Sequence, residues 1–336
     1  MTYPTVKKAH IVTAGYLRAW TINDQLDLKV VGHPVGSTPA NVRDAGTRGP
    51  FYRRTRPDGT RIDDVEHSLA IAEDKMVPAL RQIEQRWPPS DDDRSVLAQF
   101  VGLQMVRGPL WYEWHRRFQR EGFARLRELE AQRAEPDQDS VDATEQWLRT
   151  DTEEHIRMLS LAPKVGVVVA GMNWTLLRFR SPVLATSDHP VVTWRETRSR
   201  AHSESMTIDG VLRSLELRVP LAPHLALLAT WLDLPDEEAQ IVEAKRMHAV
   251  NLNTFTIGQA ERQWFRLPGS TTPTTTGHLL PLSSQLFDGY GIEMARASER
   301  RRATAQLIQF HLGRNFPENL QAIKVSRPSI FERARR

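Results

Sequence analysis

Apolar positions along the chain recur with two different periods, and the change from one to the other divides it. Val65, Leu69, Ala72, Met76, Leu80 and Ile83 fall at helical spacing. The helix they predict is capped by Asp63 or Asp64 and stops before Trp87-Pro88-Pro89. Ser90 with Asp93 opens a longer helical run carrying Val96, Leu97, Phe100, Val101, Leu103 and Met105. Gly108-Pro109 should break that run, because proline lacks a backbone donor and clashes with the preceding turn. A strongly charged continuation spans Leu110 to Arg133, and a further helix from about Glu145 to Leu161 leads to Pro163.

Beyond Pro163 the texture changes to short apolar runs. Trp174–Phe179, Val183–Thr186, Val191–Trp194, Leu215–Val219, Leu225–Trp231 and Trp264–Leu267 read as strands. Between them, Arg195–Gly210 reads as a polar hairpin excursion, and a helix is expected after Asp236, through Ile241, Ala244, Met247, Val250 and Asn251. Near the start, Leu26–Val31 alternates like a strand after a helical turn at Tyr16–Trp20, and a Gly/Pro/Asn-rich loop follows over 32–50. These elements predict an α+β fold, with a helical N-terminal half packed on a mostly antiparallel β-sheet from the C-terminal half. A single domain over 1–336 is expected, helix-rich over 1–161 and sheet-rich over 162–336. A mobile connection is expected near 134–143.

The stretch Leu184-Ala185-Thr186-Ser187-Asp188-His189-Pro190-Val191-Val192 stands out within the strand-rich part. Ser and Asp side chains fold back on nearby backbone N–H groups, and Pro190 cannot continue a ladder. The pattern predicts a rigid polar corner between two strands, with the Asp188 carboxylate held in place.

Composition narrows the chemistry. The 336 residues contain no cysteine, which removes thiolate catalysis, disulfides and Cys-ligated zinc. Net charge is +4 and the pI is near 9.5, in keeping with an anionic partner such as a nucleotide or nucleic acid. The first residues lack the apolar core of a signal peptide, and the apolar segment Val165–Met172 is too short to span a bilayer. A cytoplasmic protein without membrane association is the expectation. No phosphate-binding loop, dinucleotide fingerprint or nucleophile elbow occurs.

What remains is a set of dispersed polar residues. Glu66 and Glu73 lie seven apart on one predicted helix, so both carboxylates leave the same face. Such a pair can hold a divalent cation or share acid–base work, and it can equally be two solvated acids. Gln104 and Arg107, three apart before the Gly108 break, also share a face. Arg107 suits recognition of a phosphate or carboxylate, or neutralisation of Asp188 or a glutamate. His10 is a candidate base on an extended segment.

Several of these residues, in order, resemble the domain of unknown function 4238 family. The resemblance rests on Lys8-Ala9-His10 with Tyr16-Leu17, on the helix carrying Glu66 and Glu73, and on Gln104 to Pro109. It continues through Asn173-Trp174 into Thr186-Ser187-Asp188-His189-Pro190, then Val219-Pro220-Leu221-Ala222-Pro223 and Asn251. Thr13 and His189 depart from the family's usual Pro and Asn. The resemblance implies a fold and a cluster of polar residues, and it carries no activity.

Two functions of different class fit this set. In the first the chain is a hydrolase, a metal-dependent phosphodiesterase acting on nucleic acid or a nucleotide. Glu66, Glu73 and Asp188 would then hold Mg²⁺ or Mn²⁺, His10 would move a proton, and the catalytic set would be His10, Glu66, Glu73 and Asp188. Gln104, Arg107, Ser187, His189 and Asn251 would contact substrate. In the second the same residues form a buried ion network in a non-catalytic binding or scaffold protein.

Overall fold

The computed structural model describes residues 7–33, 36–55, 58–132, 139, 142, 158–194, 214–232 and 241–287. Its organising layer is a five-stranded sheet in the order β12-β7-β11-β10-β9. The strands are β7 (Asn173–Arg178), β9 (Val192–Trp194), β10 (Glu216–Ala222), β11 (Leu225–Thr230) and β12 (Ile241–Glu243). β9, β10, β11 and β7 pair antiparallel, and β12 joins parallel to β7 at the edge. A second sheet has the order β3-β2-β13-β8, from β2 (Gln25–Val30), β3 (Thr38–Asn41), β8 (Thr186–Ser187) and β13 (Gln263–Arg266). The α+β class therefore holds.

Helices pack on this framework. The described ones are α1 (Ala14–Leu17, continued by a 3-10 turn to Trp20), α2 (Asp64–Gln82), α3 (Asp91–Val106), α4 (Pro109–Ala131), α5 (Ala162–Ala170), α6 (Arg246–Gly258) and α7 (Leu282–Leu286). The Ser90 cap forms as its spacing suggests: its Oγ accepts from the Asp93 N–H at 3.2 Å and donates to the Asp93 carboxylate at 3.0 Å. The Gly108-Pro109 break separates α3 from α4, with Pro109 in the first turn where its missing N–H costs nothing. α3 and α5 approach closely enough that a Cβ on Gly102 would stand 2.3 Å from the Ala162 carbonyl oxygen, which explains a glycine in mid-helix.

Helices and strands are more mixed along the chain than a simple division into halves. The N-terminal part supplies β2 and β3 and two small ladders: β1 (Ala9–His10) with β4 (Thr47–Arg48), and β5 (Arg54–Thr55) with β6 (Arg61–Ile62). The C-terminal part contributes α5, which grows from the apolar Val165–Val169 run with Pro163 in its first turn. It also contributes β12, on the stretch where a helix was expected to run through Ile241 after starting past Asp236. That helix begins only at Arg246, because the run Ile241-Val242-Glu243 pairs with β7 first. The strand expected from Val183 forms only at Thr186–Ser187. The expected hairpin over 195–210, nearly all of the expected helix over 145–161 and most of the connection over 134–143 lie outside the described residues.

One core cluster runs from Ala9 and Val12 through α2, α3 and α5 to the inner face of the five-stranded sheet, with Trp20, Trp111 and Trp231 among its fully buried members. At about 25 cal/mol per Å² of apolar surface, burial on this scale is the main stabilising contribution. No described helix is long and apolar enough to cross a membrane.

Candidate functional site

The N-terminal segment of β1 and α1 lies across α2 and α3, and its backbone fixes the polar cluster. Glu66 and Glu73 do leave one face of α2, two turns apart, and both meet this segment. Glu66 Oε1 accepts from the His10 backbone N–H at 3.2 Å, and Glu73 Oε2 accepts from the Thr13 hydroxyl at 2.6 Å. From α3, the Arg107 guanidinium enters with only 1 % of its surface exposed. It donates to Glu73 Oε1 at 2.5 Å and to the His10 carbonyl oxygen. The Tyr52 hydroxyl donates to the Arg107 carbonyl at 2.7 Å and lies 3.5 Å from its Nε. Burial works against the Arg107 charge, yet Glu73 and Tyr52 outweigh it and raise the guanidinium pKa above its ordinary value. Burial pushes the Tyr52 phenol up to about 12.

Four polar atoms of this neighbourhood have no hydrogen-bond partner although they are buried: His10 Nε2, Glu66 Oε2, and both Oε1 and Nε2 of Gln104. Burial lowers the His10 pKa, with Arg107 adding to the effect and Glu73 opposing it. Burial raises the Glu66 pKa, helped by Glu73 and Asp63 and opposed by Arg107 and the His10 N–H. Their surroundings thus shift the two groups in opposite senses, the imidazole pKa downward and the carboxyl pKa upward.

Asp188 is elsewhere engaged. Its Oδ1 accepts from the Glu261 N–H at 2.8 Å, and its Oδ2 from the N–H groups of Arg262 at 2.7 Å and Gln263 at 2.9 Å. Burial raises the carboxyl's pKa, and the three N–H bonds oppose that. The expected rigid corner is present. It hands the chain from β8, paired with β13, to β9, paired with β10, so it joins the two sheets. The link to His10 is indirect: β4 pairs with β1, and Arg48 of β4 reaches Glu261 at 3.4 Å.

The expected cation site of Glu66, Glu73 and Asp188 therefore needs correction. Among the described residues no group of three His, Asp or Glu side chains is placed to hold a metal ion. Physically, both oxygens of Glu73 and both of Asp188 are already taken by donors from the protein. Asp188→Ala would strand three partly buried N–H groups, and it should cost about 2 kcal/mol in urea unfolding. That loss should be the same with or without Mg²⁺.

The remaining substrate-contact candidates also separate. Ser187 is buried and accepts from the His189 N–H at 3.1 Å, so this pair shapes the corner. Asn251 of α6 belongs to a network that pattern reading did not single out. Its Oδ1 accepts from Arg218 Nη1 at 2.6 Å, and its amide donates to the Leu280 carbonyl at 2.9 Å. Arg218 is ion-paired with Glu216, and both are wholly buried. The guanidinium also lies over Trp194 and Phe255, 5.3 and 4.8 Å from the ring centroids. Leu-Glu-Leu-Arg-Val over 215–219 alternates like a strand with one solvated face, so sequence pattern gives no sign that both charges are interior.

A cavity of about 40 Å³ opens on the neighbouring faces of α2 and α3, lined by Val65, Leu69, Met76, Leu103, Leu159 and Pro163 among others. None of the candidate site residues lines it. Geometry thus brings together His10, Glu66, Glu73 and Arg107, adds Tyr52 and Thr13, and leaves out Asp188, Ser187, His189 and Asn251, while Gln104 is buried on α3 one turn before Arg107.

Comparison with known proteins gives no match among curated proteins or solved structures. A family model described as "Protein of unknown function (DUF4238)" matches residues 8–269, which includes every residue of the cluster. The chain belongs to that family.

Proposed function

We propose that the protein is a hydrolase that works by paired acid–base chemistry, with His10 as base and Glu66 as acid. One observation carries this reading. His10 Nε2 and Glu66 Oε2 are buried and unpartnered on adjoining residues, and their surroundings drive the two ionisations in opposite directions. An orphaned buried polar atom typically costs about 1–3 kcal/mol, so the two call for a partner, such as the water that a hydrolysis consumes. In the proposed step, a water oxygen attacks the electrophilic centre while His10 Nε2 takes its proton. The bond to the leaving atom breaks, and that atom receives the proton of Glu66. Solvent then removes the proton from the imidazolium and returns one to the carboxylate. Arg107 acts as a positioning residue, since it holds the His10 carbonyl and Glu73.

The test is turnover of a panel of ester, amide and phosphodiester substrates by the wild type, Glu66→Gln and His10→Gln. General acid–base groups typically contribute about 10²–10⁴-fold, and each variant should lose turnover in that range. Glu66→Gln should melt no lower than wild type at neutral pH. A carboxyl whose folded pKa is raised contributes most below its unfolded pKa of 4.5 and loses that contribution as pH rises through the folded value. A neutral amide escapes this loss. Turnover unaffected by either change would overturn the assignment.

A scaffold reading has its own support, because Arg107, Glu73 and Tyr52 satisfy one another as a structural ion network does. It expects no turnover in the wild type.

A further inference from the structure

The cavity between α2, α3 and the chain leading into α5 has a floor and a mouth. Leu69, Met76, Leu103, Leu159 and Ala162 are buried along its floor. Ser68, Ala72 and Gln99 are half-buried at its rim. The Ser68 hydroxyl is already bonded to the Asp64 carbonyl at 3.0 Å, so the floor and most of the rim present carbon. A water held inside needs two to four polar partners, and the floor side chains supply none. Backbone contacts keep the space open. A Cβ on Gly102 would stand 2.3 Å from the Ala162 carbonyl oxygen, and one on Gly166 3.1 Å from the Gln99 Cα, so α5 cannot close further on α3. α2 is pinned on another flank, where Glu73 meets Thr13 and Arg107, and a Cβ on Gly15 would stand 2.5 Å from Val77 Cγ2. Ala72 and Ala162 line the gap between these fixed walls with one side-chain carbon each.

We infer that this recess is a binding site for the hydrocarbon end of a small molecule, about propyl in size, whose remainder stays outside the mouth. Volume sets the size. The recess measures about 40 Å³. One water-sized group needs about 10–15 Å³, so roughly three such groups fit. Lining sets the class. A carbon-walled space rewards removal of apolar surface from water, and it offers a charged or strongly polar group nothing in exchange for its hydration. Preformed apolar recesses with a polar group near the opening are the common form of small-molecule sites, and the Gln99 amide stands at this one. The site is independent of the hydrolase reading, since none of His10, Glu66, Glu73 and Arg107 lines it.

The experiment is titration of the full chain, methyl-labelled at Leu, Val and Met, with straight-chain alcohols from ethanol to hexanol and with glycerol as the polar control. Methyl resonances read the site directly. The expected result is a saturable shift centred on Leu69, Met76 and Leu103. Affinity should rise about fourfold per added methylene while the recess fills, then level off near butanol. Glycerol should leave these resonances unmoved. Ala72→Leu puts three more carbons into the recess and should weaken binding at least tenfold. Leu103→Ala enlarges it and should move the levelling point to a longer alcohol, which tests the site from the other side. Several results would each overturn the inference. They are no shift at the lining methyls, an equal response to glycerol, affinity that climbs with chain length without levelling, or wild-type binding by Ala72→Leu. A climb without levelling is what unspecific adsorption to exposed apolar surface gives.

Discussion

Glu216→Ala should be among the most destabilising single changes in the molecule, costing about 3–5 kcal/mol. Glu216 accepts from Arg218 Nε at 2.5 Å and from the backbone N–H groups of Leu282 and Ser283 at 2.7 Å each. Both charged side chains are wholly buried. Truncation leaves the Arg218 cation in the interior with only Asn251 and two aromatic faces, and it orphans two N–H groups where α7 docks. Replacing the pair together, as Glu216→Leu with Arg218→Met, removes the stranded charge and should recover much of the loss. Denaturant unfolding of the three variants measures this, and equal stability of Glu216→Ala and wild type would show the pair to be energetically idle.

Arg107→Met should also cost about 3 kcal/mol, at the lower end of the range for breaking a buried pair because Glu73 remains partly exposed. The change leaves Glu73 with the Thr13 hydroxyl alone and frees the His10 carbonyl, so the N-terminal segment loses the clamp that joins it to α3. Adding Glu73→Leu should restore part of the loss, with a coupling of at least about 1 kcal/mol between the two positions in a double-mutant cycle. Simple additivity would mean that Arg107 and Glu73 do not act as a unit. Turnover in Arg107→Met should fall as well, since the His10 ring is placed by the backbone that Arg107 holds.

Legibility in the sequence followed the range of the interactions involved. α2, the Ser90 cap and the Gly108-Pro109 break are set by neighbours within a few residues, so periodicity and capping chemistry find them. β12 is decided by β7, far away in the chain, and its three residues continue a pattern that reads equally well as helix. Glu66, Glu73, Gln104 and Arg107 were legible as shared helix faces, because spacing alone puts them there. Which group satisfies which was not legible. Asp188 is a carboxyl group like Glu66, yet three backbone N–H groups from β13 and the turn before it claim Asp188, while one oxygen of Glu66 is left open. Tyr52 and Thr13 complete the cluster through one hydroxyl each, and no sequence motif marks either.

The most direct measurement is the pH dependence of kcat/KM on a hydrolysed substrate, in wild type and in Glu66→Gln. Activity requires His10 neutral and Glu66 protonated. The wild-type profile should be bell-shaped, falling on the acid side below the ordinary histidine value of 6.5 and on the alkaline side above the ordinary glutamate value of 4.5. Glu66→Gln should lose the alkaline limb together with most of the rate and keep the acid limb set by His10. An alkaline limb that survives unchanged in Glu66→Gln would contradict the assignment of Glu66 as the acid.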